Sequence, residues 1–238
     1  MRSDNSNLQI KIKEPTRFDF DCVADTYDDW YETAKGSVYD QLEKKAISKY
    51  LLRNVQGKKL LEVGCGTGHW SQFFSEFGFE VTGVDISERM INVAKSKGIP
   101  NTSFQIADGH SLPFKNGVFD VTASIVTLEF VCSAELVLRE MERCTRRPGG
   151  QLLIGVLNAL APLNCKRQLY SESLYSKARL FSPMQLKELL EPYGQTHIAT
   201  IGFVPKRERF LPLAPVTDFM CRLLHRPSGV FIAAEVRL

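Results

Sequence analysis

The stretch LLEVGCGTGHW (residues 60–70) places three glycines at alternate positions directly after a short apolar run. Two well-known glycine signatures do not fit it. A dinucleotide fingerprint, G-x-G-x-x-G, needs glycine at position 69, where the chain has histidine. A P-loop needs a lysine shortly after the glycines, and none follows. The stretch therefore predicts a strand and a tight turn whose bare backbone a ligand can approach, without a phosphate signature.

Length and composition favour one globular domain. The chain has 238 residues, 44% of them hydrophobic, and a formal net charge of +3. We expect a single domain over residues 1–238, because this length is enough for one well-buried core and short for two. The charge is too small to indicate a nucleic-acid partner. No apolar run is long enough to span a membrane, and the polar N-terminus lacks the apolar middle of a signal peptide. These features predict a cytoplasmic protein whose residues 1–15 are flexible.

Neither the cysteines nor the N-terminal acids form a metal motif. The six cysteines are scattered without a C-x-x-C pair, which favours reduced thiols. Five acids crowd residues 19–29, but no histidine or cysteine joins them at ligand spacing. We therefore predict no metal and interpret these acids as a solvated face: Asp19, Asp21, Asp25, Asp28 and Asp29.

Strand-like and helix-like segments alternate from residue 58 to about 157. Such alternation with short turns predicts right-handed crossovers and a largely parallel sheet with helices on both faces. Two more strand-like segments follow, so we predict a doubly wound α/β fold of seven strands, mostly parallel, with the last inserted antiparallel. Ser87, Ser133 and Ser182 are the expected N-caps of three helices. The predicted strands are KKLLEV (58–63), EVTGVDIS (80–87), TSFQIADG (102–109), one within 118–131, QLLIGVLN (151–158), HIATIGFV (197–204) and GVFIAAEV (229–236).

Acidic residues end three of these strands. Ligands of open α/β sheets bind beyond the carboxyl ends of the strands. Glu62 precedes the glycine turn, and Asp85 follows it by about 20 residues, a position suited to binding ribose hydroxyls. Asp108 can accept a hydrogen bond from an amino group such as that of adenine. Three acids and no phosphate-binding lysine describe a ligand with a ribose, an amine and positive charge. S-adenosylmethionine fits this description.

The chain resembles the class I S-adenosylmethionine-dependent methyltransferases of the small-molecule type. The matching motifs occur in the family's order and cover residues 20–160 closely and the remainder loosely. They are LLEVGCGTG, VTGVDIS, IADGHSLPF, FDVTASIVTLEFV and RCTRRPGGQLLIGVLN. The resemblance implies a helical cap over residues 16–56, a cofactor-binding core over 57–158, and lid segments on the substrate side, with the last two strands, over 159–238.

The resemblance also implies the residues that hold the cofactor. Glu62 and the glycine turn would surround its methionine end, Asp85 its ribose, and Asp108 with Gly109 its adenine. Tyr27 is similar to a tyrosine that covers the cofactor in many relatives, although a plain core position is as good an interpretation. The implied set is Tyr27, Glu62, Gly64, Cys65, Gly66, Gly68, Asp85, Ile86, Met90, Asp108, Gly109 and Ile125.

The catalytic base is the least determined part of the site. Members that methylate amino groups of nucleic-acid bases carry Asn/Asp-Pro-Pro-Tyr/Phe after strand four, whereas this chain has SIVTLEFV. Many small-molecule members carry histidines near Glu129, and this chain does not. Glu129 is therefore the catalytic candidate, with a purely structural role as the alternative. His110 is a second candidate base, although a loop histidine without a role is the simpler interpretation.

These observations predict in-line methyl transfer from S-adenosylmethionine to a small-molecule acceptor. The nucleophile of that acceptor, whether O, N, S or C, stays undetermined. Two alternatives stay open: a methyltransferase that acts on RNA or protein, and a non-catalytic protein that binds S-adenosylmethionine. The sequence is also compatible with a homodimer.

Overall fold

The computed structural model describes residues 16–51, 54–170 and 174–238. The segment 1–15, predicted to be flexible, lies outside the described residues. Seven strands form one sheet. They are β1 (Lys59–Val63), β2 (Glu80–Asp85), β3 (Thr102–Ile106), β4 (Val121–Ile125), β5 (Gln151–Leu157), β6 (Gln195–Ile201) and β7 (Phe231–Arg237). The helices are α1 (Asp29–Glu32), α2 (Ala34–Ser48), α3 (His69–Phe77), α4 (Glu88–Ser96), α5 (Ala134–Cys144), α6 (Pro162–Gln168), α7 (Pro183–Leu190) and α8 (Ala214–Leu223).

The strand order is β3-β2-β1-β4-β5-β7-β6. Strands β1 to β5 pair in parallel, and β7 runs antiparallel to both of its neighbours, β5 and β6. The predicted doubly wound fold with an inserted antiparallel last strand is therefore confirmed. The order reverses between β1 and β4, which is the point at which such sheets bind their ligands.

Successive residues of the central strands face opposite layers of helices. Leu61 and Leu152 belong to a core that α5 and α7 cover, whereas Leu60 and Leu153 belong to a second core with residues of α2 and α3. This double burial explains why the strands read as continuous apolar runs. The helices lie on both faces, as predicted.

The predicted helix starts are confirmed by their hydrogen bonds. The Ser87 hydroxyl accepts from the Met90 amide at 3.0 Å, and the Ser133 hydroxyl accepts from the Leu136 amide at 3.3 Å. Ser182 forms a capping box with Gln185 at the start of α7. The predicted third strand was too long, because β3 ends at Ile106, whereas β4 lies within the predicted range 118–131.

The N-terminal acids form a solvated face only in part. Asp19, Asp25 and Asp29 are exposed, whereas Asp21 and Asp28 are half-buried. Asp28 accepts a 2.7 Å hydrogen bond from the Thr67 hydroxyl and pairs with Lys97 at 2.5 Å. Asp25 pairs with Arg89, and Asp21 accepts a hydrogen bond from the Ser87 hydroxyl. These acids dock the segment before α2 onto α4 and the glycine turn. Their partners lie tens of residues away in the sequence, which hides the pairing from local pattern. The described residues contain no group of acids, histidines and cysteines arranged to hold a metal ion.

Additional elements follow β5. Helices α6 and α7 lie between β5 and β6, and α8 lies between β6 and β7. Short 3-10 helices at Phe20–Val23, Leu174–Lys177, Glu191–Tyr193 and Glu208–Leu213 complete the connections. Within the described ranges, no helix combines the length and the apolar character that crossing a membrane would require.

Candidate active site

A cavity of about 860 Å³ opens where the carboxyl ends of β1, β2 and β4 meet. Of the residues predicted to hold a cofactor, all but Gly68 line it. These are Tyr27, Glu62, Gly64, Cys65, Gly66, Asp85, Ile86, Met90, Asp108, Gly109 and Ile125.

The three glycines of the turn have left-handed backbones for different physical reasons. A Cβ on Gly64 (φ +75°) would lie 2.2 Å from the Thr127 side chain. A Cβ on Gly68 (φ +80°) would press on Phe104 at 3.1 Å, so this glycine lets α3 pack closely and does not line the cavity. At Gly66 (φ +51°) a Cβ would find open space, with Met90 Sδ nearest at 3.9 Å. Gly66 therefore leaves room for a ligand.

Asp85 is fixed by two backbone amides. Its Oδ2 accepts from the Gly66 amide and its Oδ1 from the Ser87 amide, each at 2.9 Å. Burial raises the pKa of the Asp85 carboxyl, and these hydrogen bonds oppose the rise. The remaining lone pairs of a carboxylate held in this way can accept hydrogen bonds from two hydroxyls of a ligand.

Glu62 lines the cavity and is almost fully buried, with only 1% of its surface exposed. Its Oε2 accepts a 2.5 Å hydrogen bond from the Ser71 hydroxyl. Burial raises the pKa of Glu62 to about 8, although the Ser71 hydrogen bond opposes that rise. A positively charged ligand group beside Glu62 would favour the ionised form of this carboxyl.

His110 orients Asp108 and is not available as a base. Its Nδ1 lies 2.7 Å from Asp108 Oδ1, and its Nε2 accepts from the Ser133 amide at 3.2 Å. Because Nε2 accepts from an amide, Nδ1 carries the proton and donates it to Asp108. Both ring nitrogens therefore form hydrogen bonds, and the ring holds Asp108 in place just after β3.

The charges of this cavity fit S-adenosylmethionine. Three carboxyls line it, at Glu62, Asp85 and Asp108, and its described lining contains no lysine or arginine. Such a lining favours a cation and provides no partner for phosphate. With the open space over Gly66, the residues present fit a ligand with a ribose, an ammonium and a sulfonium.

We predict that binding of S-adenosylmethionine releases a proton from Glu62. The free carboxyl, with its pKa of about 8, is largely protonated at pH 7, and a bound cation favours its ionised form. Affinity should therefore rise as the pH rises from about 6 toward 8, by up to about tenfold per unit. Calorimetry in two buffers of different ionisation enthalpy measures the released proton. The Glu62→Gln variant should lose both effects, and a wild-type affinity that does not change with pH would contradict this prediction.

A second cavity of about 1010 Å³ shares a wall with the first. The shared residues are Tyr27, Tyr31, Trp70, Val126 and Phe130. Val126 has φ +53°, a left-handed backbone that β-branched residues rarely adopt. Its amide donates to the Gly155 carbonyl at 2.7 Å. Strain of this kind is concentrated at functional sites, and here it lies where the two cavities meet.

Further polar and aromatic residues around these cavities could not be found from the sequence. The His69 ring stacks on Tyr31, with centroids 3.6 Å apart, and its Nε2 lies 2.7 Å from Asp40 Oδ1. Lys44 pairs with Asp40 at 2.8 Å. Burial opposes ionisation of Asp40, but the hydrogen bonds from His69 and Lys44 outweigh it and lower the pKa of that carboxyl. Of these residues, the sequence draws attention only to His69, because it directly follows the glycine turn. Nothing in the sequence indicates that Tyr31 and Asp40 are its partners.

Glu129 lines neither cavity. It is fully buried, and its Oε1 accepts a 2.5 Å hydrogen bond from the Leu157 amide. Burial raises the pKa of Glu129 to about 8. The Glu129 carbonyl also accepts from the Arg179 amide at 2.7 Å. The structure thus places this catalytic candidate between β5 and the segment that follows α6, where it joins two backbone segments.

We predict that Glu129→Gln changes turnover by less than about tenfold. Glutamine is neutral, as the carboxyl largely is at pH 7, and its oxygen can still accept from the Leu157 amide. Glu129→Ala should instead destabilise the fold by about 1–3 kcal/mol, because that amide would lose its partner. Urea unfolding of both variants and steady-state kinetics check this. A loss above about 10⁴-fold in Glu129→Gln, with cofactor affinity intact, would establish an essential base.

Comparisons with known proteins agree with this site. A family model described as "Methyltransferase domain" matches residues 61–154. An uncharacterized protein of Methanocaldococcus jannaschii is 30% identical over 184 residues, which are 75% of this chain and 82% of that protein. A malonyl-[acyl-carrier protein] O-methyltransferase of Erwinia billingiae is 34% identical over 113 residues, which are 48% of this chain and 44% of that enzyme.

Solved structures share the fold. A Thermotoga maritima S-adenosylmethionine-dependent methyltransferase, a possible histamine N-methyltransferase, superposes with a TM-score of 0.72 at 22% identity. The match covers 92% of this chain and 97% of that one. The acidic glycine-turn cavity, the strand order and these relatives lead to one conclusion: the chain belongs to the class I S-adenosylmethionine-dependent methyltransferases.

Proposed function

We propose that the protein transfers the methyl group of S-adenosylmethionine to a small molecule bound in the second cavity. The observation that carries this proposal is the wall common to the two cavities, formed around Tyr27, Val126 and Phe130. A methyl group can pass between two ligands only if they meet at close range and in line. Two adjoining cavities beside the glycine turn provide such an arrangement.

The residues of the first cavity would hold the cofactor for this reaction. Bound S-adenosylmethionine supplies a methyl group on a positively charged sulfur. Asp85 would accept hydrogen bonds from the ribose, Glu62 would balance the positive charge, and Gly66 would let the ligand lie against the backbone. Tyr27 and Tyr31, whose pKa values burial raises, stay neutral and provide a water-excluding cover.

A carboxyl in the second cavity is better placed than Glu129 to take a proton from the acceptor. Glu43, on α2, lines this cavity, and burial raises its pKa to about 8. A base with a pKa near the working pH is the most effective. Glu43 would serve an acceptor that loses a proton on methylation, such as a hydroxyl, whereas a thiolate or tertiary amine would not need it.

The aromatic lining of the second cavity supports a small acceptor over RNA or protein. Tyr39, Trp30 and Tyr175 line it in addition to the shared residues, and the 3-10 helices at Phe20–Val23 and Leu174–Lys177 contribute to its walls. A cavity formed in this way suits an apolar ligand of limited size. The Erwinia and Thermotoga relatives are named for methylation of an oxygen and a nitrogen, respectively, so they do not select one nucleophile.

The test is to follow a labelled methyl group. Purified protein and S-adenosylmethionine with an isotopically labelled methyl are incubated with three separate cell fractions: small metabolites, RNA and proteins. We expect label to appear in the small-metabolite fraction. Label confined to RNA or protein would replace the proposed acceptor class, and cofactor binding without transfer in any fraction would favour the non-catalytic alternative.

A further inference from the structure

Arg167 lines the second cavity and forms no ion pair with any residue that the structure describes. The guanidinium of Arg167, on α6, lies over the rings of Trp30 and Tyr175, at 4.9 Å and 4.8 Å from their centroids. Contact with two aromatic rings restricts the movement of the guanidinium, and its N–H groups can still donate hydrogen bonds. The two rings therefore hold this group at the cavity wall for a further contact.

The charge of Arg167 acts on Glu43, where it opposes the rise in the pKa of that carboxyl, but no described carboxylate is in direct contact with the guanidinium. Arg89, Arg143 and Arg146 each pair with a carboxylate. Among the residues that the structure describes, no carboxylate lies within ion-pair distance of Arg167, and that includes Glu43 in the same cavity. A guanidinium offers five donors in a planar fork that matches a carboxylate. Its natural complement here is an anion supplied by the ligand.

We infer that Arg167 anchors the carboxylate of an acidic acceptor with a planar, apolar body. This inference rests on the proposed function of the second cavity. Arg167, Trp30 and Tyr175 line that cavity and are not part of the wall shared with the first. The carboxylate is therefore the anchor, and a separate nucleophile on the same molecule takes the methyl group. The aromatic lining favours an aromatic acid as the substrate class.

The two tryptophans allow a direct test without a known substrate. Both tryptophans of the chain, Trp30 and Trp70, line the second cavity, so their fluorescence reports its occupancy. The protein is first saturated with S-adenosylhomocysteine, the demethylated product, and then titrated with benzoate or with its neutral isostere benzamide. We expect benzoate to bind at least about tenfold more tightly than benzamide, since only benzoate forms charge-assisted bonds with Arg167.

Variants of Arg167 separate the effect of its planar guanidinium from the effect of its positive charge. In Arg167→Gln the preference for benzoate should disappear, and in Arg167→Lys, which keeps the charge without the planar fork, it should be reduced. Lys166→Gln is the matched control, because it removes a positive charge from an exposed neighbour on the same helix. This control should keep the wild-type preference. Affinity for S-adenosylhomocysteine should stay unchanged in all three variants, because neither residue lines the first cavity.

Each outcome separates the inference from the function on which it rests. Equal binding of benzoate and benzamide to the wild-type protein would overturn the inference while leaving the methyltransferase proposal intact. A preference that survives in a folded Arg167→Gln would overturn it in the same way. Failure of S-adenosylhomocysteine to bind the wild-type protein would instead contradict the proposed function.

Discussion

The Gly66→Ala variant should bind S-adenosylmethionine roughly 100-fold more weakly than the wild type, a loss of about 3 kcal/mol. The added methyl group would stand in the open space of the first cavity, where Met90 Sδ at 3.9 Å is its nearest neighbour. It would therefore exclude ligand atoms without disturbing the protein packing. The fold should lose only about 1–2 kcal/mol, which is the cost of a left-handed backbone for a residue with a Cβ.

Gly98→Ala is a matched control for this experiment. Gly98 has a similar backbone, with φ +58° against +51° at Gly66, and a Cβ there meets nothing within 4 Å. It does not line the first cavity. Both variants should therefore lose similar stability in urea unfolding, while only Gly66→Ala loses affinity in calorimetry. Wild-type affinity in Gly66→Ala would mean that no ligand approaches the glycine turn.

Replacement of Asp85 by alanine should also weaken cofactor binding by roughly 100-fold or more. The ligand would lose two charge-assisted hydrogen bonds from its ribose hydroxyls. The amides of Gly66 and Ser87, which now donate to this carboxylate at 2.9 Å, would also lose their acceptor. The glycine turn should therefore become less ordered, at a cost of about 1–3 kcal/mol in stability.

Asp25→Ala serves as the comparison for Asp85→Ala. Asp25 pairs with Arg89 on an exposed part of the surface, where ion pairs contribute little to stability. Its removal should leave cofactor affinity unchanged in the same calorimetric titration. Equal losses of affinity in the two variants would show that Asp85 has no special contact with the ligand.

The sequence was sufficient for the fold because its signals are local. Continuous apolar strands such as QLLIGVL indicate burial on both faces of the sheet, and serine N-caps indicate where the helices begin. The cavity residues could also be predicted, because the carboxyl ends of parallel strands meet at one edge of the sheet. Glu62 and Asp85 lie at the carboxyl ends of β1 and β2, Asp108 lies two residues after β3, and the structure brings all three to one cavity.

The second cavity could not be predicted, because it is built from contacts between distant segments. Arg167 reaches Trp30 across more than 100 residues, and Glu43 comes from the helix before the sheet. Asp40 and His69 meet in the same way. Nor does the sequence show which way a side chain in a turn points: Glu129 follows β4 closely enough to suggest a catalytic position, yet its carboxyl contacts the Leu157 amide.

A crystal structure grown with S-adenosylhomocysteine would show whether the first cavity binds the cofactor. We expect density for the nucleoside along the glycine turn, with the ribose hydroxyls on the Asp85 carboxylate and the amino group of the methionine end near Glu62. The sulfur should face the wall of Tyr27, Val126 and Phe130, with the second cavity free beside it. Density for the ligand in the second cavity, or contacts of Asp85 limited to the Gly66 and Ser87 amides, would show that the first cavity is not the cofactor site.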